Sequence, residues 1–388
     1  MLTTLAVGNY RSIRELIVPL SRLNVISGAN GAGKSNLYRA LRLLAATAQG
    51  GVIAALAREG GLSSTLWAGP ERFSRAMLDG DVPVQGTVRR HVISLRLGFA
   101  GDELGYTIDL GLPTPVAGTM FGGDPEIKRE TIWHGASPRP AATLVSRRGA
   151  MVEVRDDVGK WSAMPKPIRP FDSMLTEYAD RRSAPEMIAV RDTIRSWRFY
   201  DHFRTDAAAP ARQLHVGTHT PVLAEDGADL AAALQTIREI GDAEALAACI
   251  DDAFPGSRFE IANRDGRFEL LLRQPGMLRP LSAAELSDGT LRYLLLAAAL
   301  LTPRPPALMV LNEPETSLHA DLLPALARLI GSAARQTQII VVSHAARLIA
   351  ALEREDDCHS IVLDKVLGQT QVAGVDKTEA PGWHWPAR

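Results

Sequence analysis

The stretch SGANGAGKSN, Ser27 to Asn36, constrains this chain more than any other. It follows an apolar run, Leu23–Ser27, that reads as a strand. It precedes LYRALRLLAATAQ, where Leu37, Leu41, Leu44 and Ala48 recur at helical spacing. In a strand–glycine loop–helix context, consecutive backbone N–H groups converge on phosphate oxygens, and the helix N-terminus adds a favourable dipole. Gly28 to Ser35 matches the P-loop pattern, in which Lys34 would reach the β- and γ-phosphates and Ser35 would ligate magnesium. With glycine at ~7% of average sequence, a chance match has a probability on the order of 1%, so the stretch reads as a site rather than a turn.

The rest of the chain must then supply an α/β sheet. Two further strands are expected before the loop, Leu2–Val7 and Arg14–Val18. From Val84 to Val154 the pattern becomes short alternating stretches (HVISLRLGF, LGYTIDLGL, TLVSRR) broken by Gly and Pro, which predicts an antiparallel meander. Residues Asp172 to Phe203 are polar and partly helical, and DGADLAAALQTIREIG and DAEALAACIDDAF read as helices. RFEIANRDGRFELLLRQ reads as a hairpin turning at Asp265-Gly266. Helix–strand alternation returns from Ser282: a helix from Gly289, a buried strand Ala307–Leu311, a helix Asp321–Ala334 and a strand Gln338–Ser343. The last strands are Ser360–Val366 and Thr370–Ala373.

Three later stretches carry chemistry. LMVLNEPETSLH, Leu308 to His319, is an apolar strand running into Asn312 and Glu313, at the strand end where ligands collect in open α/β sheets. Glu313 there could polarise an attacking water, or be a solvated loop acid. LSDGT, Leu286 to Thr290, precedes an apolar helix and fits a Ser-Asp-Gly cap equally well. IIVVSHAARL ends a second apolar strand at His344, a position open to a structural or a catalytic role.

Composition narrows the class. A net charge of −1 provides no global basic field, so any nucleic-acid surface must be local. Cys249 and Cys358 suggest neither a disulfide framework nor a metal knot. No signal-peptide core opens the chain, and the most apolar run, Leu294–Leu301, is too short to span a bilayer. A soluble cytoplasmic protein without membrane partners is expected.

Together these pieces resemble the nucleotide-binding head of ABC-type ATPases, in the RecF/SMC-like branch often described as AAA-type predicted ATPases. The resemblance implies an α/β fold, a P-loop NTPase with a mixed or parallel sheet, an antiparallel β subdomain and a helical insertion. It implies four segments: 1–83 with the P-loop, 84–170 as the β subdomain, 171–280 as a mostly helical insertion ending in a hairpin, and 281–388 completing the head. Gly28, Asn30, Gly31, Gly33, Lys34, Ser35 and Asn36 would contact ATP. Ser287 and Gly289 match the dimer signature that touches the γ-phosphate of a partner subunit. Glu313 matches the general base, ETSLH the loop joining two active sites, and His344 the γ-phosphate sensor. The opening NYRSI would place Arg11 and Ser12 near the nucleotide, and SWRFYDHFR and LAEDGADLAAAL also resemble the RecF-like subgroup. ATP and Mg2+ are the implied cofactors, and an ATP-dependent homodimer the implied assembly. Duplex DNA and an effector or repair protein are further implied partners. Only 24 residues follow Asp364, so no nuclease (Toprim) domain is expected.

Asn312 departs from the acid that in most relatives holds magnesium through water. An amide oxygen still accepts from a magnesium-bound water but brings no charge. Hydrogen bonds to charged groups exceed neutral ones by ~1–2 kcal/mol, roughly tenfold in affinity. The expectation is a metal site held by Ser35 and Asn312 that turns ATP over slowly through Glu313, Lys34 and His344. A non-hydrolysing scaffold is the alternative.

Between Ile127 and Arg169 nine Lys/Arg face four Asp/Glu, and Trp197, Phe199, Tyr200 and Phe203 interleave with Arg195, Arg198 and Arg204. Such a pattern could track a nucleic-acid backbone and stack on bases. It fits a solvated face beside an aromatic core patch as well.

Overall fold

The computed structural model describes residues 1–84, 92–115, 117–156, 158–178, 184–374 and 381–387. His91 of the first meander stretch, and 179–183 of the stretch expected to be partly helical, lie outside the described residues. The chain forms two compact units, each assembled from separate segments of sequence.

The first unit comprises Met1–Ser21, Gly28–Trp197 and Ile361–Arg388. Its frame is an eight-stranded antiparallel sheet. Spatially the strands run Ile13–Pro19, Leu2–Tyr10, Leu95–Gly101, Leu104–Gly111, Glu126–His134, Thr143–Arg148, Met151–Arg155 and Trp161–Ala163. The expected meander is therefore present, but no break separates it from the N-terminal strands. Leu5 pairs with Val18 on one side and Phe99 on the other. Alternation marks which face of a strand is apolar, not which strand lies beside it, so sequence placed the first two strands with the P-loop segment alone.

The helix Lys34–Thr47 packs Leu37, Tyr38, Leu41 and Leu44 inward as its 3.6-residue period requires. Glu130 and Arg147 are fully buried and form an ion pair at 2.6 Å. Glu130 also accepts from the Tyr106 hydroxyl at 2.6 Å and the Met174 N–H at 2.9 Å. Burial, and then the charge of Glu130, push the Tyr106 hydroxyl well above its ordinary pKa.

The second unit comprises Arg22–Ser27 and Arg198–Ser360. Four parallel strands lie in the order Arg198–Tyr200, Leu308–Asn312, Gln338–Val342 and Leu23–Gly28. Tyr200 pairs with Leu311, Leu311 with Val341, and Val341 with Val25. Their near-continuous apolar runs suit strands covered on both faces. The helices Leu230–Ile240, Asp288–Leu300 and Leu323–Ala334 contribute to the same core. The last helix begins in a 3-10 turn, Ala320–Leu322, with Pro324 in its first turn, where a missing N–H costs nothing. The hairpin Arg258–Arg264/Arg267–Arg273 turns at Asp265 and Gly266 with φ of 50° and 81°. Positive φ at both central residues matches the twist of the flanking strands.

Candidate functional site

In the first unit the loop after Leu23–Gly28 takes the conformation its glycines allow. Gly28, Gly31 and Gly33 have φ of 140°, 80° and 115°. A Cβ on Gly28 would sit 2.2 Å from the Leu363 carbonyl oxygen, and one on Gly33 2.2 Å from Thr370 Oγ1. No other residue fits either place. Lys34 Nζ donates to the carbonyls of Gly28 at 2.6 Å and Ala29 at 3.2 Å, while Asn30, Gly31 and Ser35 are exposed.

Thr370 fastens the loop from strand Gln369–Val372, which pairs antiparallel with Cys358–Val366. Its hydroxyl donates to the Ala32 carbonyl at 2.8 Å and lies 2.7 Å from Ser12 Oγ, which accepts from Asn36 Nδ2 at 2.8 Å. Ser12 is thus built into the loop's support. Arg11 turns to Glu59, with Nη2 at 2.8 Å, beside the Tyr10 hydroxyl bonded to the same carboxylate at 2.5 Å. Arg11 and Ser12 line a groove of about 660 Å³ with Trp67, Lys365 and Leu367.

In the second unit Asn312, Glu313 and His344 gather at the C-terminal ends of adjacent parallel strands. Glu313 has φ of 48° and donates its N–H to the Val342 carbonyl at 2.8 Å. His344 Nδ1 lies 3.6 Å from Glu313 Oε1 and 3.5 Å from Glu315 Oε1. Glu315 is buried. Its Oε1 accepts from Ser343 Oγ at 2.7 Å and from the N–H groups of His344 and Ala345 at 3.1 and 3.3 Å. Asn312 Nδ2 donates to Asp201 Oδ1 at 2.5 Å.

Arg292, buried on the helix Asp288–Leu300, donates to the carbonyls of Phe203 at 3.0 Å and Glu313 at 3.3 Å. It therefore holds both strand ends. Burial lowers its pKa, against the opposing charges of Glu315 and Asp201.

Ser287 caps that helix, accepting the Thr290 N–H at 3.1 Å. Gly289 packs against the loop after strand Leu308–Asn312: a Cβ there would lie 3.0 Å from the Ser317 carbonyl oxygen. Arg212 braces the cap, bonding the Leu286 carbonyl at 2.7 Å and Asp288 at 2.8 Å.

Among the described residues no three His, Cys, Asp or Glu side chains are grouped to hold a metal. Each unit carries oxygen donors of the kind magnesium takes beside substrate phosphates: the Ser35 hydroxyl in the first, and the Asn312 amide and the Asp201 carboxylate in the second.

The basic–aromatic stretch resolves into core. Trp197, Phe199, Tyr200 and Phe203 are buried, so none offers a ring face to a base. Arg147 is buried against Glu130, and Arg204 pairs with Asp206 at 2.8 Å. Arg148 stays exposed, opposite Arg129 across the strand pair.

Sequence reasoning missed Thr370, Asp201, Arg292 and Arg212, which stand far along the chain from the motifs they serve. Glu315 lay in plain view within ETSLH.

Residues 160–350 match the family model described as AAA domain, putative AbiEii toxin, Type IV TA system. Residues 1–59 match the model described as AAA ATPase domain. No curated protein sequence matches the chain. Among solved structures, the chain is similar to an Smc head bound to the C-winged helix domain of ScpA. The identity is 14%, 98% of this chain and 99% of that chain are covered, and the TM-score is 0.50. The Pyrococcus furiosus Smc head domain with an extended coiled coil, bound to the C-terminal domain of ScpA, matches at 12% identity, with 98% and 97% covered and a TM-score of 0.48. The SMC head domain from Thermotoga maritima matches at 16%, with 97% and 99% covered and a TM-score of 0.43. The first of these carries the comparison: the fold is that of an ABC-type, SMC-like ATPase head. No helix among the described residues is long and apolar enough to cross a membrane.

Proposed function

We propose that this ABC-type, SMC-like head binds ATP with magnesium, hydrolyses it slowly, and closes on ATP into a head-to-head homodimer. The observation that carries the reading is the loop Gly28–Ser35. Its three positive-φ glycines follow a parallel strand and open directly into the helix Lys34–Thr47, an arrangement that directs backbone N–H groups at phosphate.

In this reading the loop N–H groups and Lys34 bind the phosphates, with Ser35 and Asn312 holding magnesium. Magnesium would neutralise charge developing on the phosphate oxygens. Glu313 takes the proton of the attacking water, and His344, set against Glu313 and Glu315, donates to a γ-phosphate oxygen. Ser287 and Gly289 present the N-terminus of helix Asp288–Leu300 to ATP held by the partner subunit.

The output follows the RecF-like resemblance: repair or recombination on duplex DNA in the cytoplasm, or control of a defence effector. If duplex DNA is the substrate, Arg129, Arg139 and Arg148 are the cations to test, since Arg147 is committed to Glu130. The neutral amide at 312 favours a second reading, a scaffold that binds ATP and signals to a partner without turnover.

Light scattering on Glu313→Gln with and without ATP tests the assembly. The account expects a dimer with ATP and a monomer without it; a monomer in both states overturns the head-to-head reading. Phosphate release by the wild type separates hydrolysis from the scaffold.

A further inference from the structure

We propose that the first unit carries a second anion site, apart from the glycine loop, that takes a small phosphomonoester of nucleotide size. The inference does not depend on the ATP reading above, since no residue of Gly28–Ser35 takes part.

The site is a cavity of about 610 Å³ on one face of the antiparallel sheet. Arg129 stands opposite Arg148, Ser146 opposite Glu153, and Trp161 opposite Arg155. Residues two apart on a strand share a face, so Ser146 and Arg148 lie together with Glu153 and Arg155 beside them. Residues 138–140 and 384–387 complete the lining. The second of these segments is anchored. Trp383 is buried edge-on against Trp133 at 5.5 Å, Trp385 Nε1 donates to Glu15 at 3.0 Å, and Arg129 donates to the Ala387 carbonyl.

Charge is the first observation. Arg129, Arg139 and Arg148 line the cavity with one carboxylate, Glu153, a net charge of +2. Like charges directly opposite across a strand pair repel, and Arg129 and Arg148 are so placed. Among the described residues no carboxylate forms an ion pair with Arg139 or Arg148. Burial and then the Arg148 charge hold the Arg129 pKa below its ordinary value, although Asp109 on the other neighbouring strand opposes them.

Ser146 is the second. It is only 6% exposed, lines the cavity, and its hydroxyl has no hydrogen-bond partner. Buried hydroxyls are ordinarily bonded, so this one is a donor left open at the arginines.

The chemistry selects the ligand. A phosphomonoester carries about two negative charges near neutral pH, as the lining requires, whereas a lone carboxylate carries one. The planar guanidinium fork matches phosphate oxygens. The cavity falls in the range that holds small organic ligands, and Trp161, at 38% exposure, offers an indole to a flat ring.

Isothermal titration calorimetry with AMP on the full chain tests the site. Wild type should bind, and Lys34→Ala should retain that binding. R139A/R148A should lose tenfold or more in affinity, and S146A three- to tenfold. S146A should unfold at the wild-type urea concentration, because its hydroxyl has no bond to lose, so its weaker binding is not a loss of fold. Ribose 5-phosphate should bind more weakly than AMP, and adenosine should give no heat. No AMP binding by wild type, or affinity lost in Lys34→Ala and kept in R139A/R148A, overturns the site. Duplex DNA that displaces AMP and binds more tightly would give these arginines to DNA and overturn the small-ligand assignment.

Discussion

Glu315 Oε1 accepts the Ser343 hydroxyl at 2.7 Å, so one buried carboxylate ties the loop after strand Leu308–Asn312 to the end of strand Gln338–Val342. Glu313 and His344 flank that tie. Glu315→Ala would leave the Ser343 hydroxyl and the His344 N–H without their acceptor, at ~1–3 kcal/mol for each buried group so stranded, while the Ala345 N–H keeps Ser343 Oγ at 3.1 Å. We expect unfolding in urea at lower concentration, and ATP turnover reduced more than ATP affinity. Glu315→Gln keeps one acceptor oxygen and should lose less of both. Wild-type turnover in a folded Glu315→Ala protein would remove the positioning role.

Thr370 should matter to nucleotide binding although it lies far from the P-loop in sequence. Thr370→Val keeps the shape but deletes the bonds to Ala32 and Ser12. Neutral hydrogen bonds contribute ~0.5–1.5 kcal/mol each, so ATP affinity should fall by roughly three- to tenfold through a looser loop. Isothermal titration calorimetry checks this, and an unchanged affinity would leave Thr370 as packing only. Gly33→Ala should be more severe, because its methyl would collide with Thr370 at 2.2 Å.

Arg147 separates stability from surface chemistry. Breaking a buried ion pair by removing one partner costs ~3–5 kcal/mol, because the other charge stays buried and unpaired. Arg147→Met should therefore shift the urea midpoint strongly downward. Pairing it with Glu130→Gln should recover part of that loss, since no buried carboxylate is then left without its arginine. Arg148→Ala, at an exposed position, should leave the midpoint nearly unchanged. Equal midpoints for the Arg147 and Arg148 variants would contradict the burial of Arg147.

Strand ends and the glycine loop were legible because they depend on local rules: alternation, helical spacing and turn chemistry at Asp265-Gly266. Pairing was not. Leu2–Tyr10 joins Leu95–Gly101, and Thr370 joins Ser12, through contacts that no local pattern encodes. The arginine–aromatic stretch misled for a related reason. Interleaved cations and rings look alike whether the rings face a base or a core, and here Phe199, Tyr200 and Phe203 face the core. Asn312 and Asp201, bonded at 2.5 Å, likewise stand 111 residues apart in sequence.

The central claim is that this chain hydrolyses ATP with Glu313 as the base, and phosphate release from ATP by wild type and Glu313→Gln tests it most directly. A positioned general base contributes ~10²–10⁴-fold, so Glu313→Gln should slow release about 10²-fold or more while ATP binding persists. No release by the wild type, or equal release by the two proteins, would contradict the account.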